Sequence, residues 1–116
     1  MHGTTDVPWA VTPEKVEAVV KRLIEVARPR KIIIFGSYAC GNVGENSDLD
    51  VLVVTGSEVE NPRAESVRLR DAVGDIDMPM DIIVIPEARF EVLRHCPGLI
   101  YHEASTNGQV VYEQNR

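Results

Sequence analysis

Apolar positions along the chain follow two rhythms. Val16, Val19, Val20, Leu23 and Ala27 recur at three- and four-residue spacing, the stripe of a helix with one buried face. Thr12-Pro13-Glu14 supplies an N-cap, a first helical residue and a first-turn acid in front of it. Pro29 ends it. Three runs are instead short, unbroken and β-branched: residues 31–35, 49–55 and 80–85. Such runs predict strands covered on both faces, at least at their middles. Asn61-Pro62 opens a second helix, with Ala64, Val67, Leu69, Ala72 and Val73 as its apolar side and Gly74-Asp75 as its close. Pro86 stops the third strand, residues 87–95 read as a helix, and residues 97–104 as another short one. Asn107-Gly108 then turns the chain into a last strand, 109–112. Gly36-Ser37 starts a tight turn, with a short helix expected through Ala39 and a polar loop over 42–47.

Strands alternating with helices give an α/β or α+β class, with helices packed on one mixed central sheet. The 116 residues fit one domain, taken as 13–116 behind an N-terminal arm, 1–12, in which Met1 to Thr5 form a tail and Trp9 pins the arm to the core or a partner. Charge sharpens this picture. Twelve Lys and Arg against 18 Asp and Glu leave −6, with His neutral. That argues against a general nucleic-acid or anionic-membrane binder, though a local phosphate site is compatible with it. No stretch approaches the roughly 20 apolar residues that span a bilayer. The opening MHGTTDVPW lacks a secretory pattern, so a cytoplasmic location is expected. Cys40 and Cys96 make no disulfide framework and read as reduced thiols. His95 and His102, with Cys96, are too few ligands for zinc and read as surface or capping residues.

The chemistry gathers at the strand starts. Asp48 and Asp50 are two apart, so a strand would point both to one face, about 6.6 Å apart. "MDIIVI" (80–85) repeats the pattern of "LDVLVV" (49–54), an aspartate opening an apolar run. If those strands are neighbours, Asp81 joins the pair. Carboxylates about 5 Å apart at an effective dielectric near 20 repel by about 3 kcal/mol per pair. A divalent cation removes that cost, and oxygen-only ligands suit Mg²⁺ or Mn²⁺. Gly36-Ser37 offers close backbone approach, amides opening a helix and a hydroxyl donor, which together attract phosphate. The expected arrangement has the phosphate cradle at one edge of the sheet and the acid cluster at the other, a site for a nucleoside triphosphate and its metals. A second D-x-D, Asp75 and Asp77, follows a helix-ending glycine and reads as loop acids. Tyr38 and Tyr101 read as packing or partner contacts rather than self-modification sites.

"FGSYACG", then "DLDVLVV", then "MDIIVI" resembles the polymerase-beta-type nucleotidyltransferase superfamily over residues 13–113. The short chain is similar to the minimal nucleotidyltransferases that stand alone in prokaryotes, paired with a HEPN-type toxin. The resemblance implies the polymerase-beta-like fold and an Mg²⁺-dependent enzyme, with two ions. It also implies an antitoxin that moves AMP from ATP to a hydroxyl, a tyrosine, of the toxin. It places Gly36 and Ser37 at the triphosphate, Asp48 and Asp50 on the metals, and Asp81 as a further ligand that activates the incoming hydroxyl. Cys40 departs from the family, whose members often carry Arg or Lys there; Arg30, Lys31, Arg63, Arg68 and Arg70 are the cations left to compensate. Two rivals stand beside this reading: transfer to a small molecule such as an aminoglycoside, and a binding module that neutralises a toxin without turnover. Oligomeric state is left open, a homo-oligomer included.

Overall fold

Thr12 opens the first helix, α1 (Pro13–Ala27), as its sequence dictates: the Thr12 hydroxyl accepts from the Lys15 N–H at 3.2 Å. Arg28 leaves the helix in the left-handed region, at φ 47°, with its N–H on the Ile24 carbonyl. The structure, a computed structural model, describes residues 11–36 and 49–114. The first ten residues of the arm, Trp9, Ser37, Tyr38, the short helix through Ala39, Cys40, the 42–47 loop and Asp48 therefore lie outside the described residues.

Four strands follow: β1 (Lys31–Phe35), β2 (Leu49–Thr55), β3 (Met80–Pro86) and β4 (Gln109–Glu113), in the spatial order β3-β2-β1-β4. β1 runs antiparallel to both β2 and β4, and β2 runs parallel to β3, so the sheet is mixed as expected. A parallel neighbour demands a crossover connection, which α2 (Pro62–Ala72) supplies. Asn61 caps it by accepting from the Ala64 N–H at 3.1 Å. Two short helices, α3 (Glu87–Leu93) and α4 (Ile100–Asn107), join β3 to β4.

Period-two alternation divides the core. Ile32, Ile34, Leu49, Val51, Val53, Ile82 and Val84 meet α1 and α2 through Val16, Val19, Leu23, Leu69 and Val73. Ile33, Phe35, Leu52, Val54 and Ile85 meet Phe90 of α3 and Ala104 of α4 on the other face. Helices on both faces explain why the central runs are unbroken.

Two local expectations are corrected. Val67, on the apolar side of α2 by its spacing, is 58% exposed, whereas Leu69 is fully buried. At about 100° per residue the two lie some 200° apart around the helix, and packing selected the face carrying Leu69 and Val73. The last helix starts at Ile100, not at Pro97, because Gly98 takes φ 95° and Leu99 stays extended. Among the described residues no helix is long and apolar enough to cross a membrane.

Candidate active site

Asp50 and Asp81 occupy the same rung of the β2–β3 ladder, flanked by the Leu49–Met80 and Val51–Ile82 pairs. Parallel neighbours on one rung have Cα atoms about 4.8 Å apart and side chains on one face. That face is the one carrying Leu52, Val54 and Ile85 beneath α3 and α4, so the two carboxylates stand at the rim of the second core cluster. The register is fixed at the site itself: the Leu49 N–H donates to the Pro79 carbonyl at 3.0 Å, just before β3 begins. Asp50 is half-buried, and the Asp81 side chain is 60% exposed. Solvent thus relieves part of the charge of the outer acid.

Phe35 pairs with Asp50 across the antiparallel ladder, which brings Gly36 against the same carboxylate. Gly36 has φ 82°, a region L side chains rarely adopt, and a Cβ built there would overlap Asp50 Oδ2. Glycine is required twice over, for its backbone angle and for the close approach. The turn and the acids were expected at opposite edges of the sheet. Instead they share one end of it, because β1 finishes where β2 and β3 start. Ser37 and Asp48, the other two expected site residues, lie outside the described residues.

The donor set fits a hard divalent cation. Asp50 and Asp81 offer only carboxylate oxygens on neighbouring strands, the outer one exposed, and Gly36 has no side chain to crowd Asp50. Among the described residues no group of three or more His, Cys, Asp and Glu side chains converges.

The candidate cations sort by which end of the sheet they occupy. Lys31 sits four strand positions from Phe35, about 13 Å away at 3.3 Å per residue, and Arg30 one residue further. There Arg30 faces Glu87 at 4.0 Å, and Lys31 faces Glu113 at 3.6 Å. Arg63 lies exposed in the first turn of α2, at that same far end. Arg68 is held by Glu65, at 2.8 and 2.6 Å. Arg70 alone of these five reaches the acids among the described residues: its Nη2 donates to Asp81 Oδ1 at 2.9 Å. Sequence gave no means of selecting it, because its reach depends on how α2 is rotated and on where β3 starts.

The loop acids fall elsewhere, as expected. Asp75 is paired with Arg22 of α1 at 2.9 Å, and the Asp77 carbonyl accepts from Lys15 Nζ at 2.7 Å. The hydrogen bond from Arg22 holds the Asp75 carboxyl below its usual range, and the bond from Arg68 does the same for Glu65. His95 is exposed, His102 is half-buried in α4, and Tyr101 packs on the second core cluster. A cavity of about 390 Å³, lined by Glu58, Asn61, Glu65 and Arg68, opens at the far end from Asp50. A smaller one of about 270 Å³ lies between the end of α2 and the start of β3, with Arg70 in its wall.

Comparison with known proteins identifies the fold and the family. A curated relative, the protein adenylyltransferase MntA of Aphanizomenon flos-aquae, is 30% identical over an aligned length of 104 residues, and the match covers 84% of this chain. The chain spans 66% of that relative's length, just under two thirds. A candidate nucleotidyltransferase from Sulfolobus solfataricus has the same fold, with a TM-score of 0.61 at 18% identity over 87% of this chain and 79% of its own. So does a chain of the MntA–HpeT toxin–antitoxin, with a TM-score of 0.60 at 20% identity over 86% of this chain and 73% of that one. A chain of a toxin–antitoxin solved with AMP-PNP superposes with a TM-score of 0.54 at 23% identity, over 85% and 74%. The family model described as polymerase beta, nucleotidyltransferase matches residues 14–116. The chain belongs to the polymerase beta nucleotidyltransferase family.

Proposed function

We propose that this chain is an Mg²⁺-dependent adenylyltransferase that moves AMP from ATP to a hydroxyl, a tyrosine, of a HEPN-type toxin, and so acts as its antitoxin. The observation that carries the proposal is the shared rung of Asp50 and Asp81 with Gly36 pressed against Asp50. Two supports come from relatives: one is named a protein adenylyltransferase, and others are toxin–antitoxin chains, one of them solved with AMP-PNP.

In this reading the Gly36-Ser37 turn receives the triphosphate through backbone amides and the Ser37 hydroxyl. Asp48, Asp50 and Asp81 hold the cations. When bound, Mg²⁺ neutralises the phosphate charge and stabilises the attacking and leaving oxygens. The Asp81 carboxylate accepts the proton of the incoming hydroxyl. The hydroxyl oxygen bonds to the α-phosphorus, the bond from that phosphorus to the bridging oxygen breaks, and pyrophosphate leaves. The exposed side of Asp81 is where an acceptor chain has access. Asp81 therefore serves both as ligand and as the group nearest the partner.

The test is label transfer from α-labelled ATP to the purified toxin in Mg²⁺. Wild type should label it, and Asp50→Asn should lower the rate by at least about a hundredfold with an unchanged circular dichroism spectrum. Equal labelling by Asp50→Asn would refute the assignment. ATP-dependent stabilisation without any pyrophosphate release in the presence of the toxin would favour the non-catalytic binding module.

A further inference from the structure

Arg70 is a full guanidinium placed against an acid that the proposed reaction needs for a cation, and the proposed chemistry gives it no part. It sits beside fully buried Leu69, one residue further along α2, so the helix that packs against the sheet carries it to the start of β3. From there Nη2 meets Asp81 Oδ1 at 2.9 Å. Both side chains remain more than half exposed, at 57% and 60%. A pair this exposed is weak, and a divalent cation competes with it readily. The space Arg70 needs in order to leave is also present, since it walls the cavity of about 270 Å³ behind β3.

Resting on the reading of Asp81 as a cation ligand, we infer that Arg70 is a positioning residue that acts as a stand-in counter-ion. It holds Asp81 on the Asp50 rung while no cation is bound, and it is displaced when one arrives. The empty site then carries less net negative charge, and it takes up a bare divalent cation less avidly than the acids alone would. Nucleotide, which brings its own cation, therefore loads the site in preference to free metal. Among the described residues the device involves Arg70 and not the other four candidate cations. Arg30, Lys31, Arg63 and Arg68 are at the far end of the sheet or held by Glu65.

The test is a Mn²⁺ titration of the nucleotide-free full chain, followed by the electron paramagnetic resonance of free Mn²⁺. Arg70→Gln should bind Mn²⁺ about fourfold more tightly than wild type, the factor that breaking a pair of unit charges at ~5 Å is worth under water-like screening. Arg70→Lys, which keeps the charge, should stay within about twofold of wild type. In an Asp81→Asn background the effect of Arg70→Gln should fall within about twofold, because the pair is already gone. A merely structural role for Arg70 would move the melting temperature in EDTA but not these affinities. Equal or weaker Mn²⁺ binding by Arg70→Gln overturns the inference. If Asp81→Asn itself weakens Mn²⁺ binding, that failure touches Arg70 alone. If Asp81→Asn leaves wild-type binding unchanged, the reading of Asp81 as a ligand falls with it.

Discussion

Replacing Gly36 by Ala would separate backbone strain from damage to the site, because a second glycine provides the matched control. Gly36 has φ 82° and Gly98 has φ 95°. An alanine in that region is disfavoured by about 1–2 kcal/mol at either position. At Gly98 nothing among the described residues lies within 4 Å of the added methyl, so strain is the expected effect. At Gly36 the methyl overlaps Asp50 Oδ2, and the carboxylate has to turn away, at a further ~0.5–1.5 kcal/mol for leaving its rotamer. Thermal melts should therefore show losses of roughly 3–10 °C for Gly98→Ala and up to about 15 °C for Gly36→Ala. Label transfer to the toxin should part them sharply. Gly98→Ala should keep near-wild-type activity, and Gly36→Ala should lose about a hundredfold or more, since an acid moved by an ångström no longer serves the reaction. Equal activity in the two variants would show that Gly36 does nothing for Asp50 beyond turning the chain.

Other outcomes follow from single contacts. Asp75 is held below its ordinary carboxylate range by Arg22, so its pairing stabilises the fold above the unfolded value near ~3.9 and is lost as pH falls through the lower folded value. The urea midpoint of wild type should exceed that of Asp75→Asn at pH 7, and the two should converge below about pH 4; a constant difference down to pH 2 would contradict the pairing. The same variant should transfer label as wild type does, because Asp75 is not at the acid cluster. Thr55 is 1% exposed, and its Oγ1 has no hydrogen-bond partner among the described residues. Thr55→Val should raise stability by about 1 kcal/mol in urea unfolding, and a loss would mean that the hydroxyl is satisfied.

Much of this architecture was legible because local signals and burial agree. The Thr12-Pro13 and Asn61-Pro62 starts cap their helices as expected, and the three unbroken runs are strands covered from both sides. The matching "DVLVV" and "DIIVI" patterns carried the juxtaposition of Asp50 with Asp81, since similar buried strands joined through a helix tend to lie parallel. What failed were choices that only packing makes. Val67 and Leu69 are equally apolar, and the sheet decides which of them α2 turns inward. Pro97 is as good a helix start as Ile100 until the positive φ of Gly98 delays the helix. The Gly36 turn was expected away from the acids because residue spacing does not show that β1 ends where β2 begins in the antiparallel pair. Arg70 was one cation among five, and nothing short of the rotation of α2 picks it out.

In the proposed reaction, side chains from β2 and β3 share a cation beside the Gly36 turn. A crystal structure of the chain with Mn²⁺ and a non-hydrolysable ATP analogue tests it most directly. Anomalous density for Mn²⁺ between the Asp50 and Asp81 carboxylates, with the triphosphate against Gly36 and Ser37, is the predicted result. Mn²⁺ bound at Asp75 and Asp77, or a triphosphate in the cavity beside Glu58 and Arg68, would contradict it.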